Sequence, residues 1–214
     1  MIPIQVLLLW ISSLFFFLAA AVIWKPWLEE KNKLMSAFFV YLLGMAFFHL
    51  FLGLGFWKDN INLSHLGFLA AIFGSTYTLK IPFSRLGAKF EKYGFWFVFL
   101  IGLAGIFWLF ISRHSPSFML WFGFLYMIFT AGVISGPYFV WQGFKMNNLG
   151  LKIKAVGGGI SIILFCLVAD IFVLWGVSMY ISEFFMTLSP IVLMTSVILG
   201  RKIYYKTAPG SGEN

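Results

Sequence analysis

Seven apolar runs, most of them close to the length needed to cross a bilayer, leave this chain few ways to fold. They cover residues of about 4–24, 35–57, 62–80, 94–112, 117–141, 155–177 and 181–200. A spanning helix needs about 20 apolar residues. Backbone polar groups cannot be left bare in hydrocarbon, so only helices and closed barrels cross it. Barrel strands would alternate polar and apolar over about 10 residues, and these runs do not. The third run is the most diluted, by Ser75, Thr76, Tyr77 and Thr78. Composition agrees: 61% of the residues are hydrophobic and 10% charged, against roughly 45–50% and about 25% in soluble domains. The sequence therefore predicts an all-α integral membrane protein, a seven-transmembrane-helix bundle forming a single domain over residues 1–206.

Orientation follows from the basic residues, which are retained on the cytoplasmic side. Lys25, Lys31 and Lys33 lie in the first gap, and Lys80, Arg85, Lys89 and Lys92 in the third. Lys145, Lys152 and Lys154 lie in or beside the fifth, and Arg201, Lys202 and Lys206 follow the last run. Only Lys58 and Arg113 of the fifteen basic residues fall on the other side. This places the N-terminus outside and the C-terminus in the cytoplasm, with the plasma (cytoplasmic) membrane as the expected location. Tryptophans near both ends of the runs, among them Trp24, Trp141, Trp57 and Trp175, match the aromatic belts of membrane interfaces.

The net charge of +8 does not indicate nucleic acid, because such binding needs a basic patch on a water-soluble face. The lone cysteine, Cys166, lies in an apolar run and can form no internal disulfide. The first run lacks a basic leader and a small-residue cleavage site, so it reads as a span rather than a signal peptide. Residues 207–214 read as a tail carrying an added linker and protease-site scar. The longest gaps, 81–93 and 142–154, are too short to hold a soluble domain.

Function must then lie within the bundle or at its mouths. Asp170 sits deep in the sixth run, where a carboxylate is costly and marks an interior site. His49 sits in the second. At a rise of ~1.5 Å per residue the two lie about 21 and 22 Å from the cytoplasmic ends of their helices. The expectation is one polar intramembrane site shared by His49 and Asp170, paired directly or through a water. Tyr77, Ser75, Thr78, Tyr126, Tyr138, Ser189 and Thr187 are candidate lining. Pro137 and Pro190 interrupt backbone hydrogen bonding and are candidate hinges. His65, Glu183, Asp59 and His114 are expected at the outer mouth, as a solvated rim.

Several chemistries are disfavoured. A retinal protein needs a lysine inside its seventh helix, and residues 181–200 contain none. Zinc-dependent seven-helix hydrolases of the adiponectin-receptor type need histidines there as well, and none is present. A haem held between helices needs two deep histidines, and only His49 is deep. No metal site, cofactor or catalytic set is predicted, so an enzyme is the less favoured class.

The apolar runs also suggest a 3+1+3 pseudo-repeat. Residues 22–25 at the end of the first helix parallel 139–142 at the end of the fifth, which sets His49 and Asp170 in equivalent helices. In helix count and orientation the plan resembles SWEET-type sugar transporters, without their Pro-Gln signature. It also resembles the seven-helix input regions of bacterial sensor kinases. Two functions are therefore expected. The first is a small polytopic transporter or channel, proton-linked through His49 and Asp170, for a small molecule or ion. The second is a membrane receptor or sensor module with a cytoplasmic output domain beyond residue 206. The lipid bilayer is the expected surrounding, and a homo-oligomer is compatible with the plan.

Overall fold

The computed structural model describes residues 2–30, 32–111, 116–176 and 178–207. Seven helices among them are long and apolar enough to cross a membrane: α1 (Ile4–Glu30), α2 (Lys33–Lys58), α3 (Ile61–Leu86), α4 (Phe90–Ile111), α5 (Leu120–Lys145), α6 (Leu149–Leu174) and α7 (Tyr180–Tyr204). No strand occurs among the described residues. This architecture is compatible with an integral membrane protein. Large apolar side chains such as Phe97, Phe107, Phe144 and Trp175 stand exposed around the bundle, which lipid accommodates and water would not.

Three of the helices, α2, α3 and α6, begin where asparagines cap them. Asn32 Oδ1 accepts from Met35 N at 2.8 Å, Asn60 Oδ1 from Asn62 N at 3.0 Å, and Asn148 Oδ1 from Leu151 N at 3.0 Å. Each cap satisfies a backbone donor that the first helical turn leaves open. At the far end of α2, Asp59 takes a left-handed φ of 50° and turns the chain into α3. The Asn148 cap explains why α6 starts before the apolar stretch read from sequence, while α1 and α3 run beyond theirs at the C-terminal end. Hydropathy marks the hydrocarbon depth, whereas the caps and turn residues mark the helix ends.

Helices α1, α2 and α3 pack in succession, as do α5, α6 and α7. The two groups meet through α1 with α7 and α3 with α5. Helix α4 lies at the side, against α3 and α5, and is the least buried of the seven. Two wide π-helical turns face each other at the centre, Ile128–Ser135 in α5 and Leu164–Ala169 in α6. They approach closely because Gly132 has no side chain. A Cβ there would lie 2.8 Å from the Cys166 carbonyl oxygen. Turns of this kind recur at functional sites, and this one sets Cys166 and Asp170 within the core.

The bundle has two unlike ends. The α1–α2, α3–α4 and α5–α6 turns, with the end of α7, carry most of the lysines and arginines and form the basic end. The opposite end carries the α2–α3 and α6–α7 turns.

Candidate functional site

A cavity of about 230 Å³ opens near the opposite end. Its walls are apolar: Leu9 from α1, Phe48, Leu52 and Phe56 from α2, Phe124 from α5 and Val173 from α6. Helix α7 supplies the polar groups, Ser182 and Glu183, and the floor, Met186.

Glu183 was expected on a solvated rim; the structure corrects this. It is 5% exposed, and its Oε2 accepts from Ser12 Oγ at 2.8 Å. Ser12 Oγ also lies 3.0 Å from Thr187 Oγ1, one turn along α7. The rim reading rests on exposed charges being ordinary at the ends of spans. Burial instead depends on which face of α7 meets α1, and Glu183 lies on that face. Ser12 went unnoticed in the sequence. The polar break of Ser12 and Ser13 in the middle of the first apolar run was the available signal. Ser182 Oγ is buried and has no hydrogen-bond partner among the described residues.

The remaining mouth candidates separate. His65 is also buried, at 8% exposure, with Nδ1 2.7 Å from Ile61 O and its ring edge-on to Phe110. It belongs to the α3–α4 seam. Asp59 is exposed. His114 lies outside the described residues.

His49 and Asp170 are both fully buried, but no hydrogen bond or ion pair joins them among the described residues. His49 Nδ1 lies 2.8 Å from Met45 O, and Nε2 lies 3.4 Å from Met186 Sδ. Its ring stacks on Phe16 at 5.4 Å and meets Phe165 edge-on at 5.3 Å. Met186 therefore links the two features, since it floors the cavity above and touches His49 below. Asp170 has no partner on either carboxyl oxygen. Cys166 lies one helical turn before it, with Sγ 3.7 Å from Tyr41 Oη. On the same side, Ser161 Oγ donates to Ser189 O at 2.7 Å and Ser189 Oγ to Ser161 O at 2.9 Å. This reciprocal pair clamps α6 to α7 beside Pro190, which lies inside an otherwise continuous helix, Met179–Thr207.

Of the candidate lining, Thr187 reaches the cavity carboxylate through Ser12. The hydroxyls of α3 serve packing. Thr78 Oγ1 lies 2.6 Å from Ser75 O and 2.7 Å from Ser135 Oγ, joining α3 to α5. Ser75 Oγ turns to Ile72 O at 3.2 Å. Tyr126 Oη meets Thr76 Oγ1 at 2.7 Å and donates to Val98 O at 2.9 Å, tying α5 to α3 and α4. The Tyr77 ring carries the Lys80 ammonium 4.3 Å from its centroid. Tyr138 Oη is buried without a partner, next to Pro137, which follows the π-helical turn of α5. None of these groups lines the cavity.

Ion pairs bridge the helices at the basic end, where open grooves of about 430 Å³ between α1 and α7 and about 500 Å³ along α6 and α7 also lie. Lys154 Nζ from α6 lies 2.5 Å from Glu30 Oε1 of α1, and the lysine side chain is 1% exposed. Arg201 of α7 pairs with Glu29 of α1 beside it. Gly150 and Gly200 bring α6 and α7 into backbone contact there. Among the described residues no group of three or more His, Cys, Asp or Glu could hold a metal ion. Comparison with protein-family models, curated proteins and solved structures finds no match to this chain.

Proposed function

We propose that this chain is a small membrane transporter working by alternating access, held here with its cavity open to the outside. The observation that carries the reading is the contrast between the two ends. One holds a cavity with a buried carboxylate, Glu183. The other is locked by a buried ion pair, Lys154 with Glu30. The asymmetry of the basic residues puts the locked end in the cytoplasm and the N-terminus outside. A plasma membrane location fits this orientation.

A channel fits less well, because the packing below Met186 is dense: Phe16, Tyr41 and Phe165 are all fully buried. The packing of α1–α3 and α5–α7 as two groups, with α4 at the side, supports the 3+1+3 reading. The α1–α7 contact then becomes the seam where the groups rock, and each locking pair spans α1 and one of the second group. Asp170, buried and unpartnered between cavity and lock, is the residue assigned to carry a coupling proton. Buried ionisable groups of spanning helices commonly serve such relays.

The test needs no knowledge of the solute. Phe56 lines the cavity and is 45% exposed, so Phe56→Cys should react with a charged methanethiosulfonate added outside intact cells. The native Cys166 is buried. Removing the lock as a pair, Glu30→Gln with Lys154→Met, should shift the protein toward an inward-open state and slow that labelling. Unchanged labelling would overturn alternating access. It would favour the receptor reading, which draws on α7 continuing as an unbroken helix to Thr207.

A further inference from the structure

We infer that the solute is a small organic cation, an ammonium head on an apolar body that stacks against phenylalanine rings. The inference deepens the transport reading and rests on it for the movement of the solute, though not for its binding.

The charge of the cavity has one sign. Among the described residues, Glu183 is its single ionisable lining residue and no lysine or arginine lines it. Lys58, the basic residue nearest in sequence at that end, folds its ammonium over the Trp57 ring, 3.8 Å from the centroid. Glu183 Oε2 is committed to Ser12. Its Oε1 takes no hydrogen bond among the described residues, which leaves one acceptor for a ligand. A neutral solute could at most donate a hydrogen bond to that acceptor and would leave its charge uncompensated in an apolar site, at a cost. An anion would add repulsion to the same cost. An ammonium supplies both a charge and donors.

A second observation points the same way. Ser182 Oγ is 1% exposed at the residue level, lines the cavity, and has no partner among the described residues. Buried hydroxyls are almost always satisfied, so an orphan beside a half-committed carboxylate marks a place for a further polar group. The rings of Phe48, Phe56 and Phe124 complete the cavity. Their faces attract a cation within about 6 Å, and they pack well against an aromatic or branched body. The volume, about 230 Å³, lies below the roughly 300–1,000 Å³ of drug-sized sites, which limits the solute to a single ring or its equivalent.

Three probes of one shape and different charge test this on the purified full chain in detergent: 2-phenylethylammonium, 2-phenylethanol and phenylacetate, by isothermal titration. The ammonium should bind at least about tenfold tighter than the alcohol, and phenylacetate should show no binding. Glu183→Gln should abolish the preference for the ammonium while retaining the alcohol, and Ser182→Ala should weaken the ammonium less. Phenylacetate binding as tightly as the ammonium, a preference that survives Glu183→Gln, or no binding of any probe would overturn the inference. Ammonium binding without a labelling response at Phe56→Cys would sink transport and keep the site. A labelling response without ammonium preference would sink only the solute class.

Discussion

Lys154 Nζ lies 2.5 Å from Glu30 Oε1 inside the basic end of the bundle, joining α6 to α1 with the lysine side chain 1% exposed. Removing one partner of such a pair strands a buried charge, at a cost of about 3–5 kcal/mol. Glu30 keeps 18% of its side chain exposed, which puts Lys154→Ala at the low end of that range, while Glu30→Gln strands the buried lysine and lies above that low end. Thermal unfolding in detergent, followed by tryptophan fluorescence, should show both single variants clearly less stable and the paired Glu30→Gln with Lys154→Met closer to the parent. Lys33, 64% exposed in its pair with Glu91, offers the contrast. Such exposed pairs contribute about 0–1 kcal/mol, so Lys33→Ala should leave the melting temperature almost unmoved.

Asp170 should separate stability from function. Its carboxyl group is buried with neither oxygen partnered, so it contributes little to holding α6 in place. Asp170→Asn should unfold at the same temperature as the parent or higher. If Asp170 carries the coupling proton, the same variant should lose the pH dependence of Phe56→Cys labelling while keeping ligand binding. A marked loss of stability would instead show Asp170 to be a structural residue.

The close approach of the two π-helical turns depends on Gly132. A side chain there meets the backbone of α6, with the Cys166 carbonyl oxygen 2.8 Å from an added Cβ, and backbone cannot swing aside as a side chain can. Overpacking of this kind costs about 1–3 kcal/mol. Gly132→Val should therefore lower the melting temperature, whereas Val133→Leu, at an exposed neighbour, should not.

Tyr126 ties three helices through one hydroxyl, bonded to Thr76 and to Val98. Tyr126→Phe keeps the ring and removes both bonds, with an expected loss of about 1 kcal/mol. Because the hydroxyl lies outside the cavity lining, ammonium binding should be unaffected. A binding defect in this variant would move the site toward α3.

The spans were legible in the sequence because hydrocarbon depth imposes a length on apolar runs, and all seven recur as helices. Their ends were not, since Asn32, Asn60 and Asn148 act through local backbone geometry that hydropathy ignores. Which polar groups the apolar runs carry was also readable, and His49 and Asp170 are both fully buried. Rotation about the helix axis was not. That angle decides whether His49 meets Asp170 or Met186, and whether Glu183 meets water or Ser12. The two facing π-helical turns alter that rotation midway along α5 and α6. Gly136 and Pro137 hint at the first of them, while residues 164–169 carry no comparable sign of the second.

The most direct measurement is of the locked end itself. Spin labels at Lys25→Cys on α1 and Asn147→Cys just before α6, both exposed positions, report the distance across it by pulsed electron resonance in lipid nanodiscs. With Glu30 and Lys154 in place, alternating access from an outward-open state requires one short distance population. With the pair replaced by Gln and Met, it requires a second, longer population, enlarged at the expense of the first. A single unchanged distance in both proteins would contradict the gate and, with it, the transporter.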